Sequence, residues 1–182
     1  LRRLAIGGYL LAGETTSAHW DGLRANLRNG GGKDALAARL TRAGVEVLSV
    51  GGSADDSATA MALAAIGEIW LAGETASEDF PLLGAVQDEL AGATDAFLTR
   101  IRWTDEGDIT ASTYWGGAGA ERVAGLRLLP DGSLQMAGVT SSPDMQVLDA
   151  VQENYGGGES DIFVSRFDAV TLRLLGTTYF GG

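Results

Sequence analysis

The sequence predicts an all-β protein: a β-propeller segment of three consecutive four-stranded antiparallel blades, forming part of a larger ring. Three observations carry this prediction. Short blocks recur in fixed order at one period; each period holds four strand-like runs; and those runs are apolar on both sides.

The first block is Leu11-Ala12-Gly13-Glu14-Thr15, then Leu71-Ala72-Gly73-Glu74-Thr75, then Met136-Ala137-Gly138-Val139-Thr140. The second opens on an aspartate and closes on arginine plus an apolar residue: Asp34 to Leu40, Asp95 to Ile101, Asp161 to Phe167. The third ends in a glycine pair, Gly51-Gly52, Gly116-Gly117 and Gly181-Gly182, spaced 65 residues apart each time. Self-similarity at a period in this range marks a duplicated structural unit. The units run over about 1–53, 54–118 and 119–182.

In the middle unit the strand candidates are 58–64, 69–77, 95–103 and 109–117. They lack helical periodicity, and the last two are rich in β-branched and aromatic residues. Gly7-Gly8, Ile66-Gly67 and Asp131-Gly132 separate the first and second strands, the last being a strong hairpin signal. Ala43-Gly44, the Asp105-Glu106-Gly107-Asp108 run and Asp168-Ala169-Val170 join the third to the fourth. Runs such as Phe97-Leu98 and Ile162-Phe163-Val164 leave no polar face, so each sheet must be covered on both sides. Radial stacking of four-stranded blades provides that cover; a two-sheet sandwich is the rival arrangement. Three blades leave two apolar faces open. The chain also begins inside its first strand and closes on a glycine pair. Further blades of a longer chain, or identical chains, are therefore expected to complete the ring.

Composition bounds the partners. Of 182 residues 45% are hydrophobic, which excludes a disordered tail, and 27 glycines against three prolines point to many tight turns. With 24 acidic against 13 basic residues the net charge is −11. No basic patch is available for phosphates, so no nucleic-acid partner is expected. No apolar stretch approaches the roughly 20 residues of a membrane span, so no membrane insertion is expected. Cysteine is absent, so the sequence says nothing of disulfides.

These blocks resemble the SBBP repeat, the repeat of a bacterial seven-bladed β-propeller family. Its first segment matches Trp70 to Ser77 followed by Glu78-Asp79-Phe80-Pro81; its second matches Gly84-Ala85-Val86-Gln87, echoed by Asp149-Ala150-Val151-Gln152. Asp95 to Ile101 and Gly156 to Phe167 match the third. Thr113 to Gly117, Thr178 to Gly182 and Gly51 to Asp56 match the fourth. The first copy departs most, with Ala18-His19-Trp20 in place of Asp-Phe-Pro. The resemblance implies a secreted, cell-surface or periplasmic bacterial protein whose repeats act as a scaffold or protein-interaction module, without catalytic activity.

The loops between second and third strands are long, roughly 18–33, 78–94 and 143–160, and long loops on a rigid frame are the usual binding site. His19, Trp20, Asp55, Asp56 and Glu121 are the ligand-binding candidates on that face, for a surface protein or a glycan. The acidic loops with Trp20 and Trp70 motivate the alternative of a lectin-like, carbohydrate-binding propeller. Leu83, Val86, Leu148 and Val151 are expected to bury these loops against the blade edges. Structural roles are expected where residues recur in every unit. Asp34, Asp95 and Asp161 should accept hydrogen bonds from loop N–H groups, Arg39, Arg100 and Arg166 should form a polar stripe, and the glycine pairs should make the turns.

No catalytic, metal or cofactor site is expected. The single histidine cannot form a triad or a zinc site alone. Asp105 to Asp108 lacks calcium-loop spacing. Gly30-Gly31-Gly32-Lys33-Asp34 lacks the Ser/Thr of a phosphate loop, and its counterparts lack the lysine. A glycan-processing enzyme built on paired carboxylates is the remaining hypothesis, and it needs acids that do not repeat.

Overall fold

The computed structural model describes residues 2–3, 8–17, 24–26, 30–65, 67–104 and 107–182. Thirteen strands form three sheets among them. The first sheet holds β1 (Arg2–Arg3), β2 (Tyr9–Thr15), β3 (Arg24–Asn26), β4 (Asp34–Thr41) and β5 (Gly44–Val50), in the order β1-β2-β4-β5-β3. The second is a meander of β6 (Asp56–Ala65), β7 (Glu68–Thr75), β8 (Asp95–Arg102) and β9 (Asp108–Trp115). The third is a meander of β10 (Glu121–Leu128), β11 (Ser133–Thr140), β12 (Asp161–Asp168) and β13 (Leu174–Phe180). All pairings are antiparallel except β3 with β5.

That parallel pair is a departure from the four antiparallel strands expected of the first unit. It comes from the long loop between β2 and β4, a short piece of which lies on the free edge of β5. The corresponding loops of the other sheets touch the same edge through isolated antiparallel bridges, Leu83 with Ser112 and Leu148 with Thr177.

Turn chemistry sets the strand ends. Gly67 (φ +79°) and Gly132 (φ +82°) reverse the chain between first and second strands, in a region that L side chains rarely adopt. The first strands of sheets two and three each carry a bulge, between Ala58 and Ala60 and between Val123 and Gly125. A bulge switches which residues face which side. Ala58 accordingly packs toward sheet one and Ala62 toward sheet three. Thr59 Oγ1, at the bulge, donates to the Val123 carbonyl at 2.8 Å and ties β6 to β10.

Two apolar layers separate the three sheets. Leu10, Ala35, Ala37, Leu48 and Val50 of sheet one meet Ile69, Leu71, Phe97, Ile101 and Tyr114 of sheet two. On its other face sheet two sets Trp70, Ala72, Ala96, Leu98 and Trp115 against Leu134, Met136, Phe163, Phe167 and Tyr179 of sheet three. Strand β8 is therefore buried on both sides, and its run of consecutive apolar residues follows from that. Strand β12 alternates buried and exposed, because only one face of sheet three is covered.

Candidate functional site: the glycine-pair junctions

The predicted structural aspartates and glycine pairs converge where one sheet hands over to the next. At the first junction Asp34 heads β4, Gly51 and Gly52 follow β5, and Asp56 heads β6. Gly51 lies between the two carboxylates, and a Cβ there would collide with both. Asp56 Oδ2 accepts from the Gly52 N–H (2.8 Å) and the Ser77 hydroxyl (2.9 Å). Asp34 Oδ1 accepts from the Gly30 N–H at 3.3 Å. The next loop closes the turn from outside: Asp79 Oδ1 accepts from the Ser53 N–H (2.6 Å), and Ser77 Oγ from the Ala54 N–H (2.9 Å).

The second junction repeats this plan with Asp95, Gly116-Gly117 and Glu121. Glu121 is fully buried; Oε2 accepts from the Gly117 N–H at 3.1 Å, and Oε1 from Thr140 and Ser142 at 2.5 Å each. Asp95 accepts from Ala91, Gly92 and the Gln87 amide. Asp144 caps the Ala118 N–H at 2.9 Å, as Asp79 caps Ser53. Asp161 follows suit below Gly181, accepting from Gly156 at 2.6 Å.

Burial raises the carboxyls of Asp34, Asp56, Asp95 and Glu121 above their ordinary range. The hydrogen bonds they accept pull the other way. The neighbouring acid raises Asp56 further (through Asp34) and Glu121 further (through Asp95). Asp34 Oδ2 and Asp56 Oδ1 are buried and accept no hydrogen bond.

The long loops are fixed by polar bonds. Gln87 donates its amide to Asp95, accepts from the Gly116 N–H at 2.8 Å, and its backbone is held by the Thr113 hydroxyl. Gln152 repeats these contacts with Asp161, Gly181 and Thr178. The Tyr114 hydroxyl donates to the Ser77 carbonyl (2.6 Å) and accepts from the Phe80 N–H (3.1 Å); Tyr179 does the same with Ser142 and Met145.

The recurring arginines stand at the opposite ends of the strands. Arg39 pairs with Glu46 and lies 5.1 Å from the centre of the Trp103 ring in the next sheet. Arg100 lies 5.6 Å from the Trp70 ring centre, bonds Thr110, and donates to the Ala169 carbonyl of the next sheet at 3.2 Å. Arg166 bonds Ser133 and pairs with Asp131.

Of the ligand-binding candidates, Asp56 and Glu121 direct their carboxylates into the junctions, where loop donors take them up. Asp55 is exposed and accepts from the Lys33 N–H at 3.0 Å, beside the Lys33–Glu14 ion pair. His19 and Trp20 lie outside the described residues, as do Asp105 and Glu106. Trp70, which motivated the sugar-stacking alternative, is buried between sheets two and three and offers no ring face to a glycan. The loop residues expected to be buried are exposed instead: Leu83, Val86, Leu148 and, at 93%, Val151. Phe80 and Met145 supply the apolar anchor in their place.

Sequence reasoning missed the Thr-x-Ser turns, Asp144 and the clamping role of Gln87 and Gln152. Their signal was recurrence: Thr75-Ala76-Ser77-Glu78-Asp79 and Thr140-Ser141-Ser142-Pro143-Asp144 share spacing. Among the described residues no group of three metal-ligating side chains comes together. No protein-family model matches the chain, and no curated protein matches it.

Proposed function

We propose that this chain is a non-enzymatic scaffold or protein-interaction module, built as a segment of a β-propeller of the SBBP-repeat kind and belonging to a secreted or surface bacterial protein. One observation carries the reading: the residues most able to do chemistry are spent on structure, Asp56 and Glu121 tying the head of one sheet to the glycine pair that ends the sheet before it, and Asp95 holding the long loop of its own sheet. A catalytic pair needs acids that reach a substrate and differ from their repeat counterparts. Two features support radial stacking. The first strands of sheets two and three touch each other through Thr59. Sheet two is also covered on both faces by sheets of the same strand order or of the same central strands. The propeller and family readings rest on these contacts and on the quoted motifs.

The test has two arms. An experimental structure should show the sheets fanned about an axis with β6 and β10 innermost; a parallel stack with no common axis refutes the propeller. A hydrolase screen over glycan, ester and peptide substrates should give no turnover. Turnover abolished by Asp95→Asn or Glu121→Gln in a folded variant would end the non-enzymatic reading.

A further inference from the structure

The long loops after β7 and β11 each present the same pair of apolar side chains to solvent. Leu83 and Val86 of the first stand at the positions of Leu148 and Val151 of the second, and all four are exposed. Folding does not require them there, because Phe80 and Met145 anchor the two loops in the apolar layers. Their placement is nevertheless fixed. Leu83 exchanges backbone hydrogen bonds with Ser112 (3.1 and 2.8 Å), as Leu148 does with Thr177 (3.1 and 2.8 Å). The Thr113 and Thr178 hydroxyls accept from the N–H groups of Val86 and Val151 at 3.1 and 3.0 Å. A left-handed residue separates the two side chains in each loop, Gly84 (φ +63°) in one and Asp149 (φ +48°) in the other. Exposed apolar residues scattered singly are ordinary; the same pair held in the same way on two loops is not scattered.

Charge identifies what fits them. Residues 78–94 and 143–160 hold four acids each and no lysine or arginine, and all of these acids are exposed. Gln87 and Gln152 turn inward to Asp95 and Asp161. The residues on either side of each glutamine stay outside, Val86 with Asp88 and Val151 with Glu153, so both loops set an exposed apolar group beside an exposed carboxylate. Among the described residues neither Asp88 nor Glu153 forms an ion pair. Such an acidic surface disfavours an anionic membrane, a nucleic acid, or a second copy of a chain whose net charge is −11. The aromatic residues of the two loops are turned inward, Phe80 buried and Tyr155 half-buried with its ring 6.0 Å from that of Tyr179. These loops therefore present no open aromatic platform on which a sugar would stack.

We infer that the two loops are docking surfaces for a basic, amphipathic polypeptide segment, whose apolar side chains cover the Leu83/Val86 and Leu148/Val151 pairs while its lysines or arginines meet Asp88 and Glu153. Complementary charge steers the encounter and selects the partner, and the apolar contacts at the centre hold it. The inference rests on the protein-interaction reading and supplies its surface and the chemistry of its partner.

Titration of the intact chain with synthetic peptides tests it. A peptide alternating lysine and leucine should bind, more weakly as salt is added, and should shift the backbone amide resonances of residues 83–89 and 148–154. A peptide alternating lysine and serine, and one alternating glutamate and leucine, should each bind at least about ten-fold more weakly. The combined variant Leu83→Ser/Val86→Ser/Leu148→Ser/Val151→Ser, with unchanged circular dichroism, should lose binding of the lysine–leucine peptide by a similar factor. Glu153→Gln should weaken the contact at 148–154 several-fold, whereas Asp108→Asn, which neutralises an exposed acid at the other end of β9, should not. Equal binding of the lysine–leucine peptide and either control, amide shifts confined to other residues, or no binding of any peptide overturns the docking surface. A neutral oligosaccharide that shifts the same amides where no peptide does overturns it as well. None of these results touches the scaffold reading, which fails instead through the sheet arrangement or through substrate turnover.

Discussion

Gly116 shows how narrowly a single residue is constrained at a junction. A Cβ there would meet the Glu121 carboxylate and come within 2.8 Å of Asp95 Cγ. Both acids are pinned by backbone donors and cannot retreat, so Gly116→Ala should cost about 1–3 kcal/mol, the usual range for forced overpacking. Gly125, with open space around its Cβ direction, is the control; Gly125→Ala should stay within about 0.5 kcal/mol. Urea midpoints of the two variants check this. The buried carboxyls also set a pH dependence. Asp34, Asp56, Asp95 and Glu121 are held above their ordinary values, chiefly by burial. The folded chain therefore binds their protons more tightly than the unfolded chain does. Their stabilising contribution is fully present below the unfolded carboxylate range, near pH 4, and is lost as pH rises through the raised folded values. Asp79, Asp131 and Asp168 are shifted down and oppose this, but solvent screens such exposed groups. Melting temperature should accordingly rise on mild acidification from pH 7. Glu121→Gln should flatten that rise, whereas Glu89→Gln, a replacement of an exposed acid, should not. Equal flattening by both would assign the effect to net charge alone.

At the level of the element, the outer strand of each sheet is where order in the long loops is decided. Tyr114 stands on β9 and holds the loop after β7 by two hydrogen bonds through one hydroxyl. Tyr114→Phe keeps the ring in its layer and removes both bonds, leaving the Ser77 carbonyl and Phe80 N–H to find other partners. A loss of about 1–3 kcal/mol is expected, together with faster proteolysis within 78–94; unchanged cleavage there would show that Gln87 alone secures the loop. Trp115, at the end of the same strand, joins two sheets, and Trp115→Ala should cost about 3–5 kcal/mol, measured by denaturant unfolding. Much of this organisation was legible in advance. The expected strands 58–64, 69–77, 95–103 and 109–117 fall on β6 to β9 within a few residues, because aspartates and glycine pairs mark their ends. The aspartate-to-loop bonds were legible for the same reason, since an acid recurring at a strand entrance has loop N–H groups within reach. Strand β3 was not. Arg24 to Asn26 carry no strand pattern, and their pairing exists only because a loop folds back on β5. Nor could Leu83 and Val86 be placed correctly. Their apolar character suggested burial, but the loop is secured by Thr113, Gln87 and Tyr114 across 26 to 37 residues of sequence, a separation that pattern alone does not span.

For the molecule as a whole, stability follows from cover, and cover is unequal. Sheet two has apolar layers on both faces, with Phe97 and Leu98 adjacent in sequence, on opposite sides, and each fully buried. Among the described residues, sheets one and three each share only one layer. Opening sheet two to solvent breaks both layers at once, while opening β10 to β13 breaks one. Amide exchange in the central strands β7 and β8 therefore requires the largest opening and should approach the global unfolding free energy. The amides of β12 and β13 should exchange through a smaller, local opening. Hydrogen-exchange mass spectrometry resolves the two, because peptides from 68–75 and 95–102 are distinct from those of 161–180. The ranking should place β7 and β8 slowest, and Trp115→Ala should accelerate sheet three more than sheet one, since that side chain belongs to the second layer. Uniform exchange across all three sheets would instead mean that the junction hydrogen bonds at Glu121 and Asp56 couple them into one cooperative unit, with the carboxylates rather than the apolar layers governing which parts open together.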